Sequence, residues 1–377
     1  MCFVVTDSLS VILLGNLPSR LMAAGVEVSV ISSPGPRLDD EAARQGFTAI
    51  PVTMHRSLSP GRDLVSVVKM IGVMRRIRPD LVDAGTPKAG VPVAIYNLRG
   101  MRLETEVGPT RRLLLFTERT AARLAREVLV VSPSLRQQAI NLRIAPSSKL
   151  VLLGQGSFRG VDLERFAPTP QVLAEGADHR ADLGIASADP VIGFVGRFSR
   201  SKGITELLDA FELVRQRHPA AQLILVGDVD ASEPISATDQ DRLAMTDGVH
   251  HVAWTAETPR WFAAMDIVAL PTKREGFPNM PLEAAGLMKP CVAFCATGTV
   301  DAVIDVQTGL LVPQGDVDGL AQAMNRYLDD PARRHEHGRA AHQRALTDFD
   351  TQIVQGRHVD FLVDHLATAL SPPVASP

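Results

Sequence analysis

The chain has 377 residues, more than one small domain needs and enough for two that each bury a core. A hydrophobic share of 45%, a charged share of 21% and a formal net charge of −3 from 39 basic and 42 acidic residues exclude a disordered chain and disfavour a surface built to grip nucleic acid. The three cysteines, Cys2, Cys291 and Cys295, have no matching His or Cys pair for a metal and read as reduced core residues of a cytosolic protein.

No apolar run reaches the ~18 to 20 residues of a bilayer span. The opening "MCFVVTDSLSVILLG" lacks a basic n-region and a small-residue cleavage site, so it reads as a first strand rather than a signal segment. Short β-branched runs then alternate with helical patterns: "CFVV", "LPSRLMAAG", "VEVSVIS", "LDDEAARQG", "FTAIPV", then "DLVSVVKMIGVMRRIRP" as a helix. That rhythm predicts parallel strands with helical crossovers, a doubly wound sheet. It breaks once. Between "LVDAG" and "VPVAIYN" stand only the residues "TPKAG", whereas a parallel crossover takes about a dozen or more residues. Either these strands are not adjacent and parallel, or a helix is missing. "RRLLLFTERTAARLA" and "EVLVVS" complete the first half as helix and strand.

The stretch "GSFRGVDLERFAPTP" has the glycine and proline content of an interdomain connection. It places one domain at 1–160 and a second at 161–350, with a C-terminal helix over 351–370 returning toward the first and a disordered tail over 371–377. In the second domain "VIGFVG", "AQLILVG", "VHHVAW", "DIVALP", "CVAFCA" and "GLLVPQGD" read as strands, with "GITELLDAFELVRQRHP" and "TPRWFAAM" as helices between them. Two such α/β domains are expected to face each other across a cleft, with ligands beyond the carboxyl ends of the strands.

"FVGRFSRSKG" has the makings of an anion site. Gly196 lets a ligand approach the backbone, Arg197 and Lys202 supply charge, and the following helix offers its N-terminal amides. A diphosphate fits. The spacing is not that of a P-loop, and GxGxxG is absent, which removes the usual signs of triphosphate hydrolysis and dinucleotide binding. "PTKREGFPNMPLEAAG" then sets two glutamates eight positions apart, Glu275 before a loop and Glu283 in the first turn of a helix. The plain reading of Glu283 is a helix cap favoured by the dipole; a carboxylate there also suits a ribose diol. Glu275 could accept from sugar hydroxyls while the backbone of Gly276, Phe277, Pro278 and Asn279 donates to the same ligand.

These motifs, with "LILVGD" and "TGLLVPQGD", resemble the retaining glycosyltransferases of family 4, which have the GT-B fold. "ISSPGP", "TPKAG", "LRGMRLET", "VSPSLRQQAI" and "GVDLERF" extend the resemblance over nearly the whole chain, toward the branch that builds bacterial capsules and exopolysaccharides. The resemblance implies that Arg197 and Lys202 bind the donor diphosphate, Glu283 the ribose, and Glu275 with the Gly276–Asn279 loop the transferred sugar. It implies a nucleotide-sugar donor, UDP-linked, a hexose or N-acetylhexosamine as the sugar moved, and a glycan or polyprenyl-linked acceptor. By the same resemblance no cofactor and no metal are expected. The family's chemistry keeps the anomeric configuration through front-face attack.

Where many relatives place a histidine, "YNLRGMRLET" has Arg99, which cannot act as a base at neutral pH. Arg99 and Arg102 could hold an anionic acceptor or donor phosphate, or pair structurally with Glu104. Lys88 in "TPKAG" is a further cation at a strand end, for binding or for solvent. The basic stretches "VVKMIGVMRRIR" and "RRLLLFTERTAARLAR" are either ordinary surface helices or a peripheral contact with anionic lipid at the inner face of the cell membrane. His55 and the pair His250-His251 read as surface or core residues. Three readings compete with transfer to a glycan: a nucleotide-sugar 2-epimerase, a homologue that binds donor without transferring it, and a transferase acting on a small metabolite. A dehydrogenase lacks its glycine fingerprint.

Overall fold

Most strands are short and buried, as apolar runs covered on both faces of a parallel sheet must be, while the edge strands Thr48–Pro51 and Val249–Val252 are part-exposed. The structure, a computed structural model, describes residues 1–54, 60–85 and 95–370, with the backbone alone for 60–64 and 369–370. The chain divides into two units, one of Met1–Arg159 with Gln352–Pro377 and one of Gly160–Thr351.

The first unit runs β1 (Cys2–Val4), α1 (Leu17–Ala23), β2 (Ser29–Ser32), α2 (Pro36–Gln45), β3 (Thr48–Pro51), α3 (Pro60–Ile77), β4 (Val82–Ala84), β5 (Ile95–Leu98), α4 (Gly108–Leu124), β6 (Glu127–Val130), α5 (Pro133–Asn141) and β7 (Leu150–Leu152). Its sheet has the order β3-β2-β1-β4-β5-β6-β7, all parallel. The second runs α6 (Pro170–Asp182), β8 (Val191–Val195), α7 (Ile204–Arg217), β9 (Gln222–Val226), α8 (Ala237–Met245), β10 (Val249–Val252), α9 (Thr258–Ala264), β11 (Ile267–Leu270), α10 (Met280–Gly286), β12 (Cys291–Phe294), α11 (Thr299–Ala302), β13 (Gly309–Val312), α12 (Val317–Asp329) and α13 (Pro331–Arg344). Its sheet is β10-β9-β8-β11-β12-β13, again all parallel. Both are the doubly wound sheets of the GT-B fold.

Helix starts are written plainly in the sequence. Ser132, Thr169 and Asp330 each stand before a proline and accept the amide three residues on, at 3.2, 3.2 and 3.0 Å, so the cap and the preset φ of the proline act together. The last helix, α14 (Thr351–Leu370), places His365 3.2 Å from Glu127 and sets the His358 ring edge-on to Phe158 at 4.9 Å.

Of the two ways out of the short link, the structure excludes the first: β4 and β5 are adjacent and parallel, with Asp83 opposite Ile95. Of the expected strand "VPVAIYN", the described part is in β5, Ile95–Leu98; residues 86–94, with Lys88, lie outside the described residues, as do His55 and the tail. The alternation does not predict β7, α6 or α8. The first is three residues long, and the two helices bury few apolar side chains, Leu243 in α8 and none in α6.

In the first unit, Tyr96 on β5 donates to Glu118 on α4 at 2.5 Å. Burial raises the Glu118 carboxyl to about 7, the tyrosine bond offsetting part of the rise. A folded value above the unfolded one means that the native state holds the extra proton, so this contribution is full below the unfolded value near 4.5 and is lost as pH rises to about 7. Glu118→Gln keeps an acceptor for Tyr96 without the titration. The fall in Tm from about pH 5 to about pH 8 is therefore expected to be smaller than in wild type by roughly 2 °C or more; equal falls would refute a buried, titrating Glu118.

Candidate active site

The order of the second sheet reverses between β8 and β11, which pair directly, Ile192 opposite Ile267. Such a reversal opens a crevice at the carboxyl ends of the two strands. The loops that leave those ends are "GRFSRSKG" and "PTKREGFPN", the two singled out by their chemistry.

After β8 the chain passes Gly196 and Arg197, makes a tight turn over Arg200–Lys202, and enters α7 through Gly203. Gly203 is left-handed at φ +73°, and a Cβ there would lie 2.0 Å from the Pro271 carbonyl oxygen. Only glycine lets the start of α7 meet the end of β11 so closely. The α7 N-terminus has no side-chain cap, leaving its first-turn amides for water or a ligand. The second loop is tied to this turn: Lys273 N donates to Ser201 O at 2.8 Å and Thr272 Oγ1 to the same oxygen at 3.1 Å.

This stitching brings Lys202 and Glu275 together as a half-buried ion pair. Arg197, exposed, pairs instead with Asp230 in the loop after β9. Lys273 reaches Glu206 at 2.7 Å and Arg274 reaches Glu233 at 3.2 Å. Glu283 lies in the first turn of α10, its amide bonded to Asn279 O at 2.9 Å. The Phe277 ring packs on Phe349 at 5.0 Å and Pro278 is buried. The loop is thus pinned by these side chains. Gly298 permits a close approach behind it, since a Cβ there would lie 2.2 Å from Gly276 O.

Arg99 and Arg102 belong to the first unit. Arg102 is exposed and pairs with Glu106 at 3.0 Å. Arg99 lies with its guanidinium carbon 3.6 Å from the Phe158 ring centroid; its Nε and Nη2 are shielded from solvent without a hydrogen-bond partner. Its electrostatic partner is Asp83, whose carboxyl burial raises to about 6 against the pull of Arg99, while burial lowers Arg99 to about 10. Burial, with the Arg99 charge adding to it, pushes His358 down to about 4. Among the described residues no cluster of His, Cys, Asp or Glu could hold a metal ion, and no helix is long and apolar enough to cross a membrane. Sequence reasoning missed Asp230, Glu233 and Gly203; a glycine directly before an amphipathic helix was the signal available for the last.

Both units resemble known proteins. Residues 189–330 match the family described as glycosyl transferases group 1, and residues 14–156 a glycosyl transferase 4-like domain. The capsular polysaccharide biosynthesis glycosyltransferase CapM of Staphylococcus aureus is 30% identical over 364 residues, 93% of each chain. Among solved structures, HepE of Anabaena in complex with UDP has a TM-score of 0.75 at 21% identity, covering 96% of this chain and 99% of that one. Sucrose-phosphate synthase from Thermosynechococcus elongatus has a TM-score of 0.77 at 20% identity, with 97% and 99% covered.

Gly203→Ala should cost about 2 kcal/mol or more, from a left-handed alanine and the overlap with Pro271 O. Thermal unfolding checks this; a wild-type Tm would mean that the turn and β11 are not held together as described.

Proposed function

The chain belongs to the family 4 glycosyltransferases, and on that premise we propose that it moves a hexose or N-acetylhexosamine from a UDP-sugar to a glycan or lipid-linked acceptor with retention of configuration and without a metal. The observation that carries the reading is the meeting of Lys202 and Glu275 where β8 and β11 end side by side.

In the reaction the C1–O bond to the diphosphate breaks and a C1–O bond to the acceptor forms on the same face. The acceptor's proton passes to the departing phosphate oxygen. Lys202, Arg197 and the amides at the start of α7 stabilise the charge that develops on the diphosphate, which is where such groups lower a barrier most. Each cation already faces a carboxylate, Lys202 with Glu275 and Arg197 with Asp230. Donor binding therefore exchanges a carboxylate partner for a phosphate one. It frees Glu275 to accept from the hydroxyls of the transferred sugar, beside the backbone of Gly276 to Asn279, while Glu283 takes the ribose.

The similarity to a capsular polysaccharide enzyme over 93% of both chains supports a glycan acceptor. The exposed face of α4 supports a lipid-borne one. Phe116 is 66% exposed and Leu113 43%, and Arg112, Arg119 and Arg123 are exposed around them, a cationic and aromatic face suited to anionic lipid.

Two measurements test the proposal. Incubation with UDP-, GDP- and dTDP-sugars, with and without a membrane lipid extract, should release nucleoside diphosphate from one donor, faster with extract. Lys202→Ala should cut that rate by ~10²-fold or more, and near-normal turnover would refute the diphosphate role. The wild-type protein should sediment with phosphatidylglycerol vesicles and not with phosphatidylcholine ones, and Phe116→Ser with Arg119→Gln should weaken this; equal binding to both vesicles would refute the lipid face.

A further inference from the structure

We propose that Glu233 is a positioning residue for the donor site, holding the chain neighbours of Lys202 and Glu275 with one carboxylate. The inference rests on the donor-site reading above and concerns a residue that contributes no atom to the reaction.

Glu233 lies in the loop between β9 and α8. That loop runs beside the one after β8: Phe198 N donates to Asp228 O at 2.8 Å, Asp230 N to Phe198 O at 2.9 Å, and Arg200 N to Glu233 O at 3.4 Å. At its end Glu233 Oε2 accepts from Ser201 Oγ at 2.9 Å and from Arg274 Nη2 at 3.2 Å. Ser201 immediately precedes Lys202, and Arg274 immediately precedes Glu275. Ser201 is 7% exposed and is braced by Ser199 Oγ at 3.1 Å, so the contact is built into the packing and not a passing surface pair.

Glu233 does two things from this place. It ties the two loops a second time, beside the backbone bond from Lys273 N to Ser201 O, and so resists sliding of one along the other. It also allocates charge. Three successive candidates for Glu275 crowd the site, Lys202, Lys273 and Arg274, and each has its own carboxylate: Glu275, Glu206 and Glu233. Without Glu233 the Arg274 guanidinium, whose Nε is already shielded and without a partner, is left to compete with Lys202 for Glu275. Either change moves reacting groups by a fraction of an ångström, which is enough to cost rate.

The test uses the full chain with Glu233→Ala and Glu233→Gln. Hydrogen exchange of the free protein should quicken ~10-fold or more at the Lys202, Gly203 and Lys273 amides in E233A, less in E233Q, with the rest of the second unit unchanged. In transfer assays the donor KM should rise ~10-fold in E233A with a smaller fall in kcat, and E233Q should recover part of both. Unchanged exchange at those amides overturns the clamp, whatever the ligand. Faster exchange with an unchanged donor KM, or faster exchange throughout the unit with a falling Tm, overturns the positioning role in favour of a purely structural one. If wild type bound no nucleotide sugar the functional reading itself would fail, a result read from the wild-type arm alone.

Discussion

The pairing of β8 with β11 is the constraint from which the rest of the site follows. In a doubly wound sheet the strands on either side of the reversal send their crossovers to different faces, so the two loops at their carboxyl ends are left with a gap between them. Here that gap is narrowed until the left-handed Gly203 touches the Pro271 carbonyl and Ser201 O takes two donors from the other loop. Residues 73 positions apart in sequence become an ion pair. The two loops meet because the strands beneath are in a register that hydrophobic packing enforces on both faces.

Electrostatics then decides what the pair can do. Four cations and four carboxylates stand around these strand ends, Arg197, Lys202, Lys273 and Arg274 against Asp230, Glu275, Glu206 and Glu233. A site this balanced does not repel its own loops in the absence of ligand, and so can be held rigid before the donor arrives. Binding a diphosphate does not require the creation of new positive charge, only the replacement of one acceptor by another. The gain in affinity is correspondingly a difference between two ion pairs and not the whole value of either. A phosphate whose oxygens also met the uncapped first-turn amides of α7 would be favoured by that difference.

The sequence made the second unit more legible than the first, for a physical reason. Most of its strands are uninterrupted apolar runs, and the candidate side chains cluster within a few residues of their ends, so "GRFSRSKG" and "KREGFPN" could be recognised as loops without knowing the sheet order. The sheet order itself was not legible, and with it the pairing of Lys202 with Glu275 was not legible either. Glu233 and Asp230 were invisible because an acidic residue in a polar loop looks the same whether it faces water or a neighbouring loop. In the first unit the dozen-residue rule for parallel crossovers left two readings of the β4-to-β5 link open, and only the parallel pairing of the two strands excludes the first of them.

The first unit also shows why Arg99 is harder to interpret than Lys202. Lys202 meets its carboxylate at a half-exposed strand end, and either partner can turn to a ligand or to water. Arg99 and Asp83 face each other in the interior, with both Asp83 oxygens and two Arg99 nitrogens lacking a hydrogen bond, beside an unprotonated His358 that burial holds neutral. Removing Arg99 would leave the Asp83 carboxylate buried without its countercharge, a change that costs several kcal/mol wherever it is made in a protein interior. Loss of activity in an Arg99 variant would therefore follow from unfolding as readily as from loss of an acceptor contact. The two causes separate in the double change of Arg99 and Asp83 to neutral residues, which removes the charge pair whole: the fold can then recover, while a contact with an anionic acceptor cannot.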